Sequence, residues 1–346
     1  MLRRVLAMTF SVCLVVSLAP SAGAAADPLA SKQWALGKIQ AQQAWSLSRG
    51  TGVTIAIVDT GIDLAHEDLR AQVVPGTSVL GCGKRAKSCN TTGQDDEGHG
   101  SHVAGIAAAA TDNGIGVAGV APGAKLMPVK VLNALGEGTV DQIAAGIDYA
   151  HNNGAKVINL SLGVMSGQSQ IGATLGWWKP INDAINRAWA KGAVIVVAAG
   201  NDSFPLCAEP AAHAKAICVG ATDHNDLIAS YSNSGDIDVT APGGFGSVFC
   251  EHSDVDILST MWTGSAWDCQ GTPTNGGTPF MTGYETAAGT SMAAPHVSGV
   301  AALLLAKGLT NQQTVDKIKS SADDLGSPGY DPVYGAGRIN AFRAVS

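Results

Sequence analysis

The sequence predicts an α/β fold, a three-layer, doubly wound arrangement with a mainly parallel sheet between two layers of helices. Three observations predict it. Short runs rich in Val, Ile and Ala are apolar at nearly every position, as strands buried on both faces are. These runs alternate with stretches of helical spacing, the pattern of parallel strands joined by crossover helices. The 346 residues, 46% hydrophobic and only 14% charged, suffice for one large core, and no linker or repeat divides them.

The chain opens with Arg3 and Arg4, an apolar stretch over 5–18 and small residues at 21–26. Residues 1–26 therefore read as a secretory signal peptide and 27–346 as one domain. The apolar stretch is short for a membrane span, and no stop-transfer pattern follows. A mixed leader with Trp34 and Trp45 occupies 27–49. Strands are expected at 53–58, 125–132, 157–162, 194–198, 217–221 and 239–241, and helices at 101–110, 140–152, 181–191 and 291–307. The turn-rich segments near 80–95, 164–180 and 244–280 read as surface loops. For Trp177-Trp178 a loop anchor is favoured over a cleft wall.

Cys13 leaves with the signal. The even set Cys82, Cys89, Cys207, Cys218, Cys250 and Cys269 reads as disulfides in an exported chain. Many connectivities are open; proximity favours Cys82–Cys89, Cys207–Cys218 and Cys250–Cys269. Metal ligation is the weaker reading, because no Cys-x-x-Cys spacing occurs. A net charge of −7 without a Lys/Arg-rich run argues against nucleic acid as a partner.

In open α/β sheets, sites form at the carboxyl ends of strands. Asp59 directly follows the first strand, and Gly163 and Gly200-Asn201 follow two others. Ser291, in Gly289-Thr290-Ser291-Met292-Ala293-Ala294-Pro295-His296, stands at a helix start, where free N–H groups and the dipole favour a developing oxyanion. Alone it reads as a helix cap. A hydroxyl nucleophile needs a base, which His99 in Gly98-His99-Gly100-Ser101-His102 offers. The base needs a buried carboxylate, which Asp59 in Val58-Asp59-Thr60-Gly61 offers. Asp63, His102 and His296 read as hydrogen-bonded structure.

These segments, in the order Asp, His, Ser, closely resemble those of the subtilases, the subtilisin-like serine proteases, and within them the thermitase type. The resemblance covers nearly all of 27–345. It implies a subtilisin-like fold and a secreted serine endopeptidase. Asp59 would orient the base, His99 act as base and then acid, and Ser291 as nucleophile. Asn201, in Ala198-Ala199-Gly200-Asn201, would donate its amide to the oxyanion. Ser161, Leu162 and Gly163 would pair with extended substrate, with Leu135 and Gly136 opposite. Together with Ala198, Ala199 and Gly200, the first three would wall a pocket for an apolar side chain. Val140 and Ile143 would line an outer subsite, with core packing the competing reading.

The loop 110–117 resembles the family's main calcium loop. The implied ligands of this structural calcium are Asp27, Asp68, the Asn113 side chain and the carbonyls of Ala110, Ile115 and Val117. A helix-ending Asn-Gly turn is the competing reading. The expected partners are protein or peptide substrates, met by a monomer with no nucleic acid and no membrane anchor once the signal is cut. Subtilases usually carry a pro-domain of dozens of residues. Only about thirty residues separate the cleavage site from the first strand, so folding without a covalent pro-domain is expected. Two alternatives are weighed. A catalytically silent binding or scaffold protein could use the same fold. An α/β-hydrolase esterase would need a Gly-x-Ser-x-Gly elbow, which is absent.

Overall fold

Seven strands form one sheet: β1 Thr54–Asp59, β2 Thr77–Ser78, β3 Lys125–Lys130, β4 Val157–Leu160, β5 Val194–Ala198, β6 Ala216–Thr222 and β7 Val239–Pro242. Their order is β2-β3-β1-β4-β5-β6-β7, and every neighbouring pair is parallel. This is a computed structural model, and it describes residues 26–81, 92–163, 166–246, 254–265 and 282–346. Most of the expected signal segment lies outside the described residues. So do Cys82, Cys89, Cys250 and Cys269, and with them two of the expected disulfides. The third, Cys207–Cys218, is formed and ties the segment after β5 to β6.

The two-sided apolar strands divide by parity, as the period of a strand requires. Ile55, Ile57, Val157, Val194 and Val196 belong to the core on one face, and Ala56, Val58, Ile158, Leu160, Ile195 and Val197 to the core on the other. In chain order the helices are α1 Trp34–Lys38, α2 Ala41–Ala44, α3 His99–Ala108, α4 Val140–Asn152, α5 Ser166–Leu175, α6 Lys179–Ala190, α7 Thr290–Leu305, α8 Asn311–Ser320 and α9 Ala341–Val345. α3 and α7 pack together on the first face, α4 and α6 on the second. α4 and α8 each open with a capping box, Thr139 with Gln142 and Thr310 with Gln313, which satisfies first-turn N–H groups. Among the described residues no helix is long and apolar enough to cross a membrane.

Two segments expected as surface loops hold regular structure. The stretch 164–180 contains α5, whose sequence SGQSQIGATL has no marked apolar stripe. Trp178 packs where a Cβ on Gly172 would sit and is buried, while Trp177 is exposed, so the pair divides into one anchor and one surface ring. The stretch 244–280 contains the buried strand β8, Ile257–Thr260, paired antiparallel with β9, Tyr284–Ala287. Their sequences, ILST and YETA, offer too few apolar residues to stand out as buried strands. The expected helix at 101–110 starts earlier, so that His99 lies in its first turn.

α7 crosses the loop after α3 closely at Gly299, where a Cβ would lie 2.5 Å from the Val120 Cβ. Gly299→Ala is therefore expected to destabilise the fold by about 1–3 kcal/mol, as overpacking does. Denaturant unfolding of the two proteins checks this, and an unchanged midpoint would contradict the packing.

Candidate active site

β1 ends in Asp59 at the carboxyl edge of the sheet. From there the chain continues to β3 on one side of β1 and later to β4 on the other, the reversal at which crevices open. Asp59 is fully buried. Its Oδ1 accepts the Thr60 N–H at 2.7 Å and lies 2.7 Å from Nδ1 of His99. With a carboxylate as acceptor, Nδ1 carries the proton and Nε2 is the basic nitrogen.

This contact requires α3 to press against the end of β1, and glycine permits it. A Cβ on Gly100 would lie 2.1 Å from the carbonyl oxygen of Gly61, and Gly61 itself has φ of 119°. The Gly100 N–H donates to Thr60 Oγ1 at 2.9 Å. Lys130, buried at the end of β3, donates from Nζ to the carbonyls of Thr60 and Leu132 and to Asp96. Burial pulls the His99 pKa down, but the charge and hydrogen bond of Asp59, with further help from Glu97 and Asp95, outweigh it and push the value up to about 9.

Ser291 lies in the first turn of α7. Pro295, in the same helix, has no N–H to give the Ser291 carbonyl four residues back. The Ser161 hydroxyl donates to that carbonyl instead at 2.8 Å, and Ser291 Oγ donates to the Ser161 carbonyl at 3.2 Å. Ser161 Oγ accepts from Asn159 Nδ2, and Asn159 Oδ1 accepts from Ser298 Oγ on α7. The end of β4 is thus clamped to the start of α7. Asn201, just past β5, accepts with Oδ1 from both the N–H and the hydroxyl of Thr290, each at 2.9 Å. With its oxygen engaged twice, Nδ2 is the end left to donate.

A cavity of about 190 Å³ is lined by Leu162, Gly163, Ala198, Gly200, Asn201, Asp202, Thr290 and Ser291. Only Asp202 among these is ionisable. Ser161 adjoins it through Ser291. Ala199 stands behind the wall, buried, with its N–H given to Val219 and its carbonyl accepting from Ala208 N–H and Asn233 Nδ2. Leu135 and Gly136 do not line the cavity; Leu135 is 79% exposed, on a loop folded by Asn133 Oδ1. Ile143 packs in the core beneath α4, with Val140 at its margin.

The other cluster singled out by the sequence also comes together. Asp27 accepts from the N–H groups of Asp112, Asn113 and Gly114. Asp68 accepts from Asn113 Nδ2 and the Val117 N–H, and the Ala110 N–H donates to its carbonyl. Burial, with repulsion from Asp27 and Glu67, pushes the Asp68 carboxyl up to about 7 despite those bonds. Among the described residues no three His, Cys, Asp or Glu side chains gather as metal ligands. The two carboxylates suit a hard cation, while Asn113 turns its Nδ2 to Asp68 and its Oδ1 accepts the Ile115 N–H.

His102 and His296 are buried and bonded to the carbonyls of Glu285 and Met292; burial pushes their pKa down to about 3 and about 4. Thr60, Lys130, Asn159 and Thr290 have parts in the site that the sequence alone does not assign. For Thr60 and Thr290 a signal existed, since each is a hydroxyl residue directly beside a candidate, in Asp-Thr-Gly and Gly-Thr-Ser.

The chain belongs to the subtilase family, whose family model matches residues 50–337. It is a subtilisin-like serine endopeptidase, and its substrates are proteins or peptides. It is 39% identical to thermitase of Thermoactinomyces vulgaris over 321 residues, 92% of this chain and 98% of thermitase. Subtilisin Savinase of Lederbergia lenta is also 39% identical, over 91% of this chain and 99% of its own. A solved protease structure from Pseudoalteromonas arctica PAMC 21717 superposes with a TM-score of 0.75 at 32% identity, covering 93% of this chain and 98% of that one.

Thr290 holds the Asn201 amide with a hydroxyl that also accepts the Gly200 N–H at 3.2 Å. Removing that hydroxyl in Thr290→Val loses about 1–1.5 kcal/mol of orientation, or about tenfold in kcat with little change in KM. Steady-state kinetics on a peptide amide checks this, and a loss confined to KM would assign Thr290 to binding.

Proposed function

We propose that this protein is a secreted endopeptidase in which Ser291 attacks the scissile carbonyl, His99 serves as base and then acid, and Asp59 fixes the imidazole. The observation that carries the proposal is the 2.7 Å contact of His99 Nδ1 with the buried Asp59 carboxylate at the switch point of the sheet. His99 takes the proton of Ser291 Oγ as the serine attacks, and the imidazolium that forms is stabilised by Asp59. Nδ2 of Asn201 and the N–H of Ser291 stabilise the tetrahedral oxyanion. The imidazolium returns its proton to the leaving amine. Water then hydrolyses the acyl-enzyme by the same steps in reverse.

Substrate binds extended along Ser161, Leu162 and Gly163, with the side chain before the scissile bond in the cavity those residues share with Ala198 and Gly200. Apart from Asp202 the lining is uncharged, which favours an apolar guest. Calcium at the Asp27–Asp68 cluster would add structural stability, held by those two carboxylates, the Asn113 side chain and the carbonyls of Ala110, Ile115 and Val117. Secretion rests on the basic, apolar and small-residue succession of 1–26, on the cysteine usage, and on the likeness to thermitase.

A fluorophosphonate probe is expected to label the wild type and not Ser291→Ala, whose kcat should fall by about 10⁴–10⁶-fold. Asn201→Ala should lose about 10²–10³-fold in kcat at nearly constant KM, the loss known for removing such a donor from a subtilisin. Folded enzyme that resists labelling would leave the silent-scaffold alternative standing. The base must be neutral to act, and the Asp59 partnership favours the protonated ring. Activity is therefore expected to rise with pH along a limb lying above the ordinary histidine value of 6.5. A pH profile of kcat/KM between 5 and 10 checks this, and a limb below 6 would contradict it.

A further inference from the structure

α3 carries His99 in its first turn, and its N-cap, Gly98, has no side chain to serve the helix's first N–H groups. Two carboxylates from the loop before it do so. Asp95, buried, accepts the N–H groups of Glu97 and Gly98 with one oxygen, and the N–H and hydroxyl of Ser101 with the other. Both its oxygens are engaged in folding the loop onto the helix. Glu97 does something different. Its Oε2 accepts the backbone N–H of His99 itself at 2.7 Å, and its own carbonyl accepts from Ser265 Oγ. The side chain is half-buried, and desolvation pushes its pKa above the usual carboxylate range.

We propose that Glu97 is a positioning residue for His99, fixing the start of α3 through the His99 N–H and adding a negative charge near the imidazole to those of Asp59 and Asp95. The proposal rests on the reading of His99 as the general base. The charged groups around the ring are Asp59 from β1 and Glu97 and Asp95 from the loop, while Asp96 is paired with Lys130. His102, one turn along α3, is buried and neutral near neutral pH. The groups acting on Glu97 are His99, Asp59 and Asp95. A negative charge at Glu97 favours the imidazolium, so it keeps the base protonated to higher pH and stabilises the charge that forms during attack. Loss of the charge does the opposite, and neutral imidazole then persists to lower pH.

The test is the pH profile of kcat/KM for an uncharged peptide amide, with wild type, Glu97→Gln and Glu97→Ala each normalised by active-site titration. Glu97→Gln keeps an acceptor for the His99 N–H and removes the charge. Its acid limb is expected about half a unit lower at low ionic strength, a difference that shrinks in 1 M salt. Glu97→Ala loses the cap as well, and its plateau should lie about tenfold below that of Glu97→Gln. An acid limb that stays in place in Glu97→Gln overturns the proposal, whatever the plateau does. The wild-type limb and the labelling of Ser291 report on the base and nucleophile separately. A wild type that labels and shows its limb, beside a Glu97→Gln limb that does not move, refutes the role of Glu97 while leaving that of His99 intact.

Discussion

A carboxylate at the end of a buried strand and an imidazole in the first turn of a helix meet at 2.7 Å only if two backbones almost touch. Gly61 and Gly100 are where they do, with no room for a Cβ on Gly100. The rest of the site depends on that approach. Once α3 is pressed there, its Gly100 N–H reaches Thr60 Oγ1, and Lys130 can hold the Thr60 carbonyl from the neighbouring strand. The register that pairs Asp59 with Lys130 places the buried ammonium at the same height of the sheet as the buried carboxylate. Burying either ion alone would be costly. Thr60 serves both, its N–H donating to Asp59 Oδ1 and its carbonyl accepting from Lys130 Nζ.

The second half of the site obeys a complementary constraint, an unsatisfied acceptor. Pro295 removes the N–H that would have closed the helix on the Ser291 carbonyl, and Ser161 fills that position. A residue that ordinarily breaks helices here creates a docking point between α7 and the end of β4. Asn159 and Ser298 extend the connection into the core as a chain of buried, mutually satisfied polar groups. Ser291, Ser161 and Thr290 are thereby held relative to the sheet rather than to a mobile loop, which is what preorganised catalysis needs.

The strands and the residues at their carboxyl ends were legible because two-sided burial gives continuous apolar runs, and because Asp59, His99, Asn201 and Ser291 stand at strand and helix boundaries. β2, β8 and β9 were not, because TS, ILST and YETA offer too few apolar residues to stand out. α8, Asn311–Ser320, buries only Thr314 and Ile318 within an otherwise polar run. Lys130 and Glu97 escaped for a different reason. The carbonyls of Thr60 and Leu132 and the N–H of His99 are backbone groups, and nothing in a linear sequence marks a carbonyl or an N–H as needing a side-chain partner. Leu135 and Gly136 were legible only as a motif, on a loop where Leu135 faces solvent.

The leader before β1 belongs to the folded unit, although the family model begins only at residue 50. At its start, Asp27 gathers three N–H groups of the 110–117 loop, and the Leu29 N–H donates to the Gly116 carbonyl. Gln33 exchanges hydrogen bonds with Ala118, and the Trp34 indole donates to the Asp256 carbonyl beside β8. Lys38 pairs with Asp226, which also holds Arg338; Arg338 reaches Asp323, and Asp323 holds Arg343. These pairs are partly exposed, and singly each contributes little. Their arrangement matters more than their sum, because one chain of alternating charges joins the leader to the last helix. Leu36, Ile39 and Ala41 meanwhile lie in the same core as α7. A segment held at its start by the loop after α3, and at its end by the C-terminal region, closes the α3–α7 layer from outside. The cohesion of that layer, on which the Gly61–Gly100 approach depends, therefore draws on residues well before the first strand.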